Sequence, residues 1–219
     1  MPVNRENYVA ITKELESKAV TLVAVSKTKP IEDILELYES GHRDFGENYV
    51  QELVSKQEQL PKDIRWHFIG HLQTNKVKYI APFVNLIHGV DSLKLLREVD
   101  KQGQKQNRVI DVLLQVHIAM EETKFGLDDQ ELQSILDSEA SQLKYARIRG
   151  LMGMASFTDV QGAVRKEFRR LKTLFDRYSG KTDFNILSMG MSGDYRIAME
   201  EGSTLVRIGS LLFGEREKR

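Results

Sequence analysis

The sequence predicts a closed (β/α)8 TIM barrel, an α/β fold formed as a single domain over residues 1–219. Three observations lead there. Strand-like and helix-like segments alternate about eight times, with no composition break and no linker, which is the pattern of a parallel sheet covered by helices. The chain has 219 residues, near the small end of the usual range for such barrels, and eight units in that length favour closure. No G-x-G-x-x-G follows the first strand, which counts against the runner-up, an open doubly wound sheet.

The elements follow in order. Residues 4–18 are polar with scattered apolar positions and read as an opening helix. Val20 to Ser26 is an apolar run rich in valine and reads as a strand covered on both faces. Pro30 suits the first position of a helix, where its missing N–H costs nothing. That helix runs to Ser40 with Ile31, Ile34, Leu35 and Tyr38 on one face, and Gly41 suits the position after its end. Asp44 to Asn48 is a very short strand and loop, followed by a helix to about Gln57. Ile64 to Gly70 is rich in strand formers, and Thr74 to Ile80 is a short helix. Val84 to Val90 is a strand, with Asp91 as the expected cap of the next helix. Val109 to Ile118 is the longest strand candidate, and Leu127 to Leu136 a helix. Ile148 to Met154 is a strand closely packed at its glycines.

The clearest helix spans Asp159 to Tyr178, with Thr158 and Gln161 at capping-box spacing and Val164, Phe168, Leu171, Phe175 and Tyr178 as its buried stripe. Gly180 would end it. Arg165, Lys166, Arg169, Arg170 and Lys172 read as a solvated face rather than a binding patch. Asn185 to Ser188 is a short strand, a glycine-rich loop and a helix to Glu200 follow, and Thr204 to Ile208 is the last strand.

Composition narrows the function classes. Lys plus Arg is 32 and Asp plus Glu is 32, so zero net charge gives no reason to expect nucleic acid or an anionic membrane as partner. There is no cysteine, which excludes disulfides, thiolate metal sites and a cysteine nucleophile. Residues 1–7 carry no apolar signal core, and no apolar run is long enough to span a bilayer. A cytoplasmic setting is the expectation.

The chemistry is expected at the carboxyl ends of the strands. Lys27 falls just past the first strand, where partial desolvation frees an amine to attack carbonyls. The plain alternative is an ordinary loop lysine. The loops after the seventh and eighth strands recurrently hold a phosphate in this fold. Ser188-Met189-Gly190-Met191-Ser192-Gly193 and Gly209-Ser210 bring glycines and hydroxyls to those two loops. A lysine and a phosphate cradle suit either pyridoxal phosphate or a phosphosugar aldolase. Arg207, at the end of the last strand, points to the former, because a pyridine nitrogen needs an Asp or Arg partner.

Six stretches together resemble a known family: Ala24-Val25-Ser26-Lys27, Phe45-Gly46-Glu47-Asn48-Tyr49, Trp66-His67-Phe68-Ile69-Gly70, Leu72-Gln73-Thr74-Asn75-Lys76, Ser188-Met189-Gly190-Met191-Ser192 and Arg207-Ile208-Gly209. They look like the pyridoxal phosphate homeostasis proteins, single-domain relatives of the alanine racemase barrel, and the likeness runs from about residue 20 to Gly214. The resemblance implies that pyridoxal 5'-phosphate forms a Schiff base with Lys27, that Arg207 faces the pyridine nitrogen, and that Ser192, Gly209 and Ser210 bind the phosphate. It places Asn48 near the ring and Met154 against it. It implies a monomeric carrier or buffer of the cofactor in vitamin B6 homeostasis, with apo-enzymes as recipients, and not a conventional enzyme. The alternative is an amino-acid racemase. In the racemase relatives, one face of the substrate is served by a tyrosine from a partner's C-terminal domain, which the chain ending at Arg219 is expected to lack; Tyr49 and Tyr195 are the nearest substitutes.

The histidines are His42, His67, His71, His88 and His117; His67 and His71 are four apart but straddle a strand end, and no H-E-x-x-H is present, so no metal is expected. Gly190-Met191-Ser192-Gly193-Asp194 falls one glycine short of a nucleophile elbow. Met152, Met154, Met189 and Met191 read chiefly as packing.

Overall fold

The computed structural model describes residues 3–121, 125–180 and 183–215. Eight parallel strands close into a barrel in sequence order: β1 (Thr21–Val25), β2 (Asp44–Glu47), β3 (Arg65–Phe68), β4 (Leu86–Val90), β5 (Ile110–Gln115), β6 (Ala146–Met152), β7 (Ile186–Ser188) and β8 (Leu205–Ile208). The last strand closes on the first, with Val23 opposite Arg207 and Ala24 opposite Ile208. This is the predicted closed barrel, and the open sheet is excluded. The longest strand is β6, not the stretch around Val109 to Ile118.

Helix α1 (Arg5–Glu16) precedes the barrel, and α2 (Ile31–Glu39), α3 (Val50–Gln59), α4 (Val77–Ile80), α5 (Leu93–Lys105), α6 (Asp129–Ser134), α7 (Gln161–Ser179) and α8 (Tyr195–Glu200) connect the strands. A final single turn, α9 (Ser210–Phe213), follows β8, too short to show a helical period in the sequence. Several helix starts differ from expectation. Pro30 sits one residue before α2. Ser92, not Asp91, caps α5 by accepting the Leu95 N–H. At α7 the Thr158 hydroxyl accepts the Val160 N–H two residues on, so the helix starts after Val160 and no capping box forms. Asp128 and Glu131 do form one at α6, each side chain taking the other's backbone N–H.

Two cores hold the barrel. One lies between strands and helices, and α7 contributes its whole expected stripe: Val164, Phe168, Leu171, Phe175 and Tyr178 are all buried. A fully buried Phe or Leu stabilises by about 1.5–3 kcal/mol, so this face anchors α7. The other core fills the barrel itself, with Val23, Leu86, Leu113, Met152 and Leu205. The basic face of α7 is neutralised by its neighbours: Arg165 pairs with Glu200 and Glu201, Arg169 with Glu201, and Arg170 with Asp129. That agrees with a solvated face.

Candidate functional site

A cavity of about 730 Å³ opens at the carboxyl ends of the strands. Its wall carries Lys27 and Lys29 after β1, Asn48 after β2, Met154 and Phe157 after β6, Ser192 and Asp194 after β7, and Arg207, Gly209 and Ser210 from β8 onward. All seven residues singled out in the sequence therefore meet around one space.

Lys27 is half-buried two residues past β1. The loop that carries it is tied down from below. Ser26 donates its hydroxyl to Glu47 Oε1 at 2.6 Å, and Lys56 Nζ reaches Ser26 O at 2.8 Å, Glu47 Oε1 at 2.7 Å and Glu52 Oε1 at 2.7 Å. Glu52 also accepts the Thr28 N–H. Burial pushes the Glu47 carboxyl above its usual range, against the pull of Lys56 and Ser26.

Arg207 is 4% exposed, and its guanidinium is fixed by neutral oxygens: Nη1 donates to Ser188 O and Oγ, and Nη2 to Gly153 O. Burial lowers its pKa to about 10, with Asp194 opposing from the cavity wall. It remains a cation at neutral pH, so whatever faces it must accept a hydrogen bond.

The loop after β7 turns at Gly190, where φ is +97°, a conformation that favours glycine. The turn brings Ser192 to the end of β8, where its hydroxyl accepts the Gly209 N–H at 3.2 Å. A Cβ on Gly209 would stand 3.2 Å from Val25 O, a contact tight enough that a side chain here would press on the end of β1. Asp194 accepts the Met191 N–H at 2.5 Å.

Asn48 Oδ1 is buried with no hydrogen-bond partner among the described residues. An amide can present oxygen or nitrogen, so this side chain is ready for a polar ligand atom at the wall. Met154 packs on the inner core. An amine, a buried cation, an open amide and a two-hydroxyl cradle in one cavity fit the aldehyde, ring and phosphate of pyridoxal phosphate.

Two tyrosines are not placed there. Tyr49 is 54% exposed, and Tyr195 is buried with its hydroxyl on Glu14 of α1 at 3.0 Å. Among the described residues no group of His, Asp and Glu side chains could hold a metal ion, and no helix is long and apolar enough to cross a membrane. Sequence reasoning missed Lys29, whose Nζ holds Phe213 O at 2.6 Å beside the cradle, and Lys56 beneath Lys27. Lys56 shares the inner face of α3 with Val50 and Leu53, and that spacing was its available signal.

The chain is similar to known proteins along nearly its whole length. Residues 4–217 match the family model described as alanine racemase, N-terminal domain. A protein of Aquifex aeolicus named pyridoxal phosphate homeostasis protein is 44% identical over 201 residues, covering 90% of this chain and 87% of that one. The solved structure of PipY from Synechococcus elongatus with PLP bound superposes with a TM-score of 0.87 at 34% identity, covering 95% of this chain and 99% of that one. An alanine racemase from Bartonella henselae shares the fold, with a TM-score of 0.73 at 18% identity; this chain covers 62% of it, and 99% of this chain is matched.

Proposed function

Since the chain belongs to the pyridoxal phosphate homeostasis protein family, we propose that it holds pyridoxal 5'-phosphate on Lys27 as a carrier and buffer that passes the cofactor to apo-enzymes. The protein binds pyridoxal phosphate and acts in its homeostasis. The observation that carries the finer reading is the convergence of Lys27, Asn48, Arg207 and the Ser192–Gly209–Ser210 cradle on one cavity.

The group supplies an aldehyde that amines add to reversibly. The chain supplies everything else. Lys27 brings the amine, on a loop braced by Lys56. Arg207 donates to the acceptor opposite it and keeps that acceptor unprotonated. Ser192, Gly209 and Ser210 bind the phosphate, and Asn48 satisfies a polar atom of the ring. A reversible bond and a cavity open at the strand ends suit loading and release. A monomer in the cytoplasm is part of the proposal; the first rests on the family resemblance and the second on the composition. Binding of pyridoxal phosphate sets the phosphosugar aldolase reading aside.

The experiment has two parts. Borohydride reduction of the loaded protein followed by peptide mass spectrometry should find the adduct on Lys27, and Lys27→Ala should abolish it while the fold persists. Loaded protein should then activate an apo-enzyme faster than cofactor released into buffer does. An adduct on another lysine, or activation no faster than release, refutes the carrier reading.

A further inference from the structure

A line of buried polar side chains crosses the barrel from its amino-terminal mouth to Arg207. At that mouth, Asp44 of β2 pairs with Arg65 and lies 3.0 Å from His67 Nε2. His67 Nδ1 lies 3.0 Å from His88 Nε2, and His88 Nδ1 lies 3.1 Å from Ser188 Oγ. Ser188 Oγ in turn meets Arg207 Nη1. His67 is 3% exposed, and His88 and Ser188 are fully buried. Asp44 and His67 border a second cavity of about 390 Å³ formed by the amino ends of the strands, whereas Arg207 borders the first.

The two ends fix the direction of the outermost hydrogen bonds, and one proton arrangement carries that direction through the whole line. A guanidinium only donates, so Ser188 Oγ accepts from Arg207. Arg65 and His67 hold the Asp44 carboxyl below its usual range, so it is ionised and only accepts. His67 therefore donates from Nε2. Burial keeps His88 neutral, with a single N–H for two neighbours. In the arrangement in which His67 Nδ1 accepts, that N–H is at His88 Nε2, and His88 Nδ1 accepts the Ser188 hydroxyl. Each donor then has one acceptor, and all four bonds point from cation to anion. Aligned bonds of this kind polarise one another in a low-dielectric interior. The remaining charged and titratable groups that face this end of the line are Arg65, His42 and Asp111.

We propose that Ser188, His88, His67 and Asp44 form a one-way hydrogen-bond relay that positions Arg207 and sustains its charge from the opposite mouth of the barrel. The four are positioning residues for the cofactor site, and this role rests on the reading that pyridoxal phosphate occupies the cavity beside Arg207. The carbonyls of Ser188 and Gly153 hold the guanidinium locally, while the relay connects it to the Asp44 carboxylate beside the second cavity.

Two measurements test this. In ligand-free, 15N-labelled protein at neutral pH, long-range nitrogen–proton correlation spectra should show His67 and His88 each protonated on Nε2 and bare on Nδ1. A proton on His88 Nδ1 overturns the relay, and this readout needs neither a variant nor the cofactor. The second is a double-mutant cycle read by absorbance titration with pyridoxal phosphate. Ser188→Ala cuts the line but leaves the Ser188 carbonyl on Arg207. Asp44→Asn should weaken binding by about threefold or more in the otherwise native chain, and have no further effect in Ser188→Ala. Equal effects in both backgrounds would mean that Asp44 acts only through Arg65, and the relay fails. If the native protein takes up no pyridoxal phosphate, the cofactor reading fails instead, and the nitrogen spectra still decide the relay.

Discussion

Lys56 Nζ lies 2.7 Å from Glu47 Oε1 beneath the loop of Lys27, with side chains only 7% and 0% exposed. Removing one partner of such a pair strands the other charge in the interior, which costs about 3–5 kcal/mol. Lys56→Met should lower stability by roughly that amount. Glu47→Gln should cost less, because burial already raises the Glu47 carboxyl and a glutamine still accepts from Ser26. Urea unfolding measures both; a loss under about 1 kcal/mol for Lys56→Met, the scale of an exposed pair, would show that the brace is not needed.

The phosphate cradle makes a separate prediction. Ser192→Ala removes a hydroxyl from a charged ligand group, worth about 1.5–3 kcal/mol, and should weaken pyridoxal phosphate binding at least tenfold. Gly209→Val puts a branched side chain where even a Cβ stands 3.2 Å from Val25 O, and should prevent retention during gel filtration. Unchanged affinity in both variants would place the phosphate elsewhere.

Racemisation should be at most a trace activity. Arg207 stays charged and disfavours a protonated pyridine, which makes a poor electron sink. A second acid–base group opposite Lys27 is also needed, and such help is typically worth about 10²–10⁴-fold. Among the described residues no tyrosine lines the cavity; Tyr195 is turned toward Glu14 and Tyr49 toward solvent. Loaded protein incubated with single amino-acid enantiomers in deuterated water should show slow α-proton exchange without inversion. Fast exchange with inversion, lost in Lys27→Ala, would make the protein an enzyme.

Acid should destabilise the fold in two stages. His42 and His88 have ring pKa values lowered by burial. Below the ordinary histidine value of about 6.5, the unfolded chain takes up protons that the folded rings refuse. The unfolded state then binds more protons, so stability falls as pH drops through that window, by up to about 1.4 kcal/mol per unit for each ring. Asp44, Glu14 and Glu201 are shifted down, so their contribution persists above the ordinary carboxyl range and is lost only on stronger acidification. His42→Gln keeps a donor for Asp44 O, where the ring now sits 2.8 Å away, and should flatten the first stage. Urea midpoints at pH 7.5 and 5.5 that shift equally in both proteins would contradict this.

The barrel and the cavity-lining residues were legible because they rest on local signals. Lys27 follows a valine-rich run, and Ser192, Gly209 and Ser210 stand at glycine-marked strand ends. The roles those residues play in binding go beyond what position alone can say. For a physical reason, the inward placing of His88 was illegible, and Ser188, expected among the hydroxyls of the phosphate loop, is instead buried in β7 against His88 and Arg207. A strand covered on both faces shows no alternation, so nothing in it distinguishes a side chain inside the barrel from one packed against a helix. From the sequence alone the histidines therefore invite only a metal-ligand reading. Helix starts failed for another reason: Thr158-x-x-Gln161 and Asp128-x-x-Glu131 share one spacing, and only the hydroxyl bond to Val160 decides that the first is not a cap.

The closure of β8 on β1 also imposes an order in time. Lys27 emerges from the ribosome well before Arg207, and at about 5–20 residues per second roughly ten seconds or more separate them. Until β8 is made, Val23 has no neighbour on one edge and Lys27 faces neither the guanidinium nor the Ser192–Gly209 cradle. The nascent chain thus offers an amine with no pocket around it. Selective capture of an aldehyde begins only once β8 has closed on β1, so loading is a property of the closed barrel.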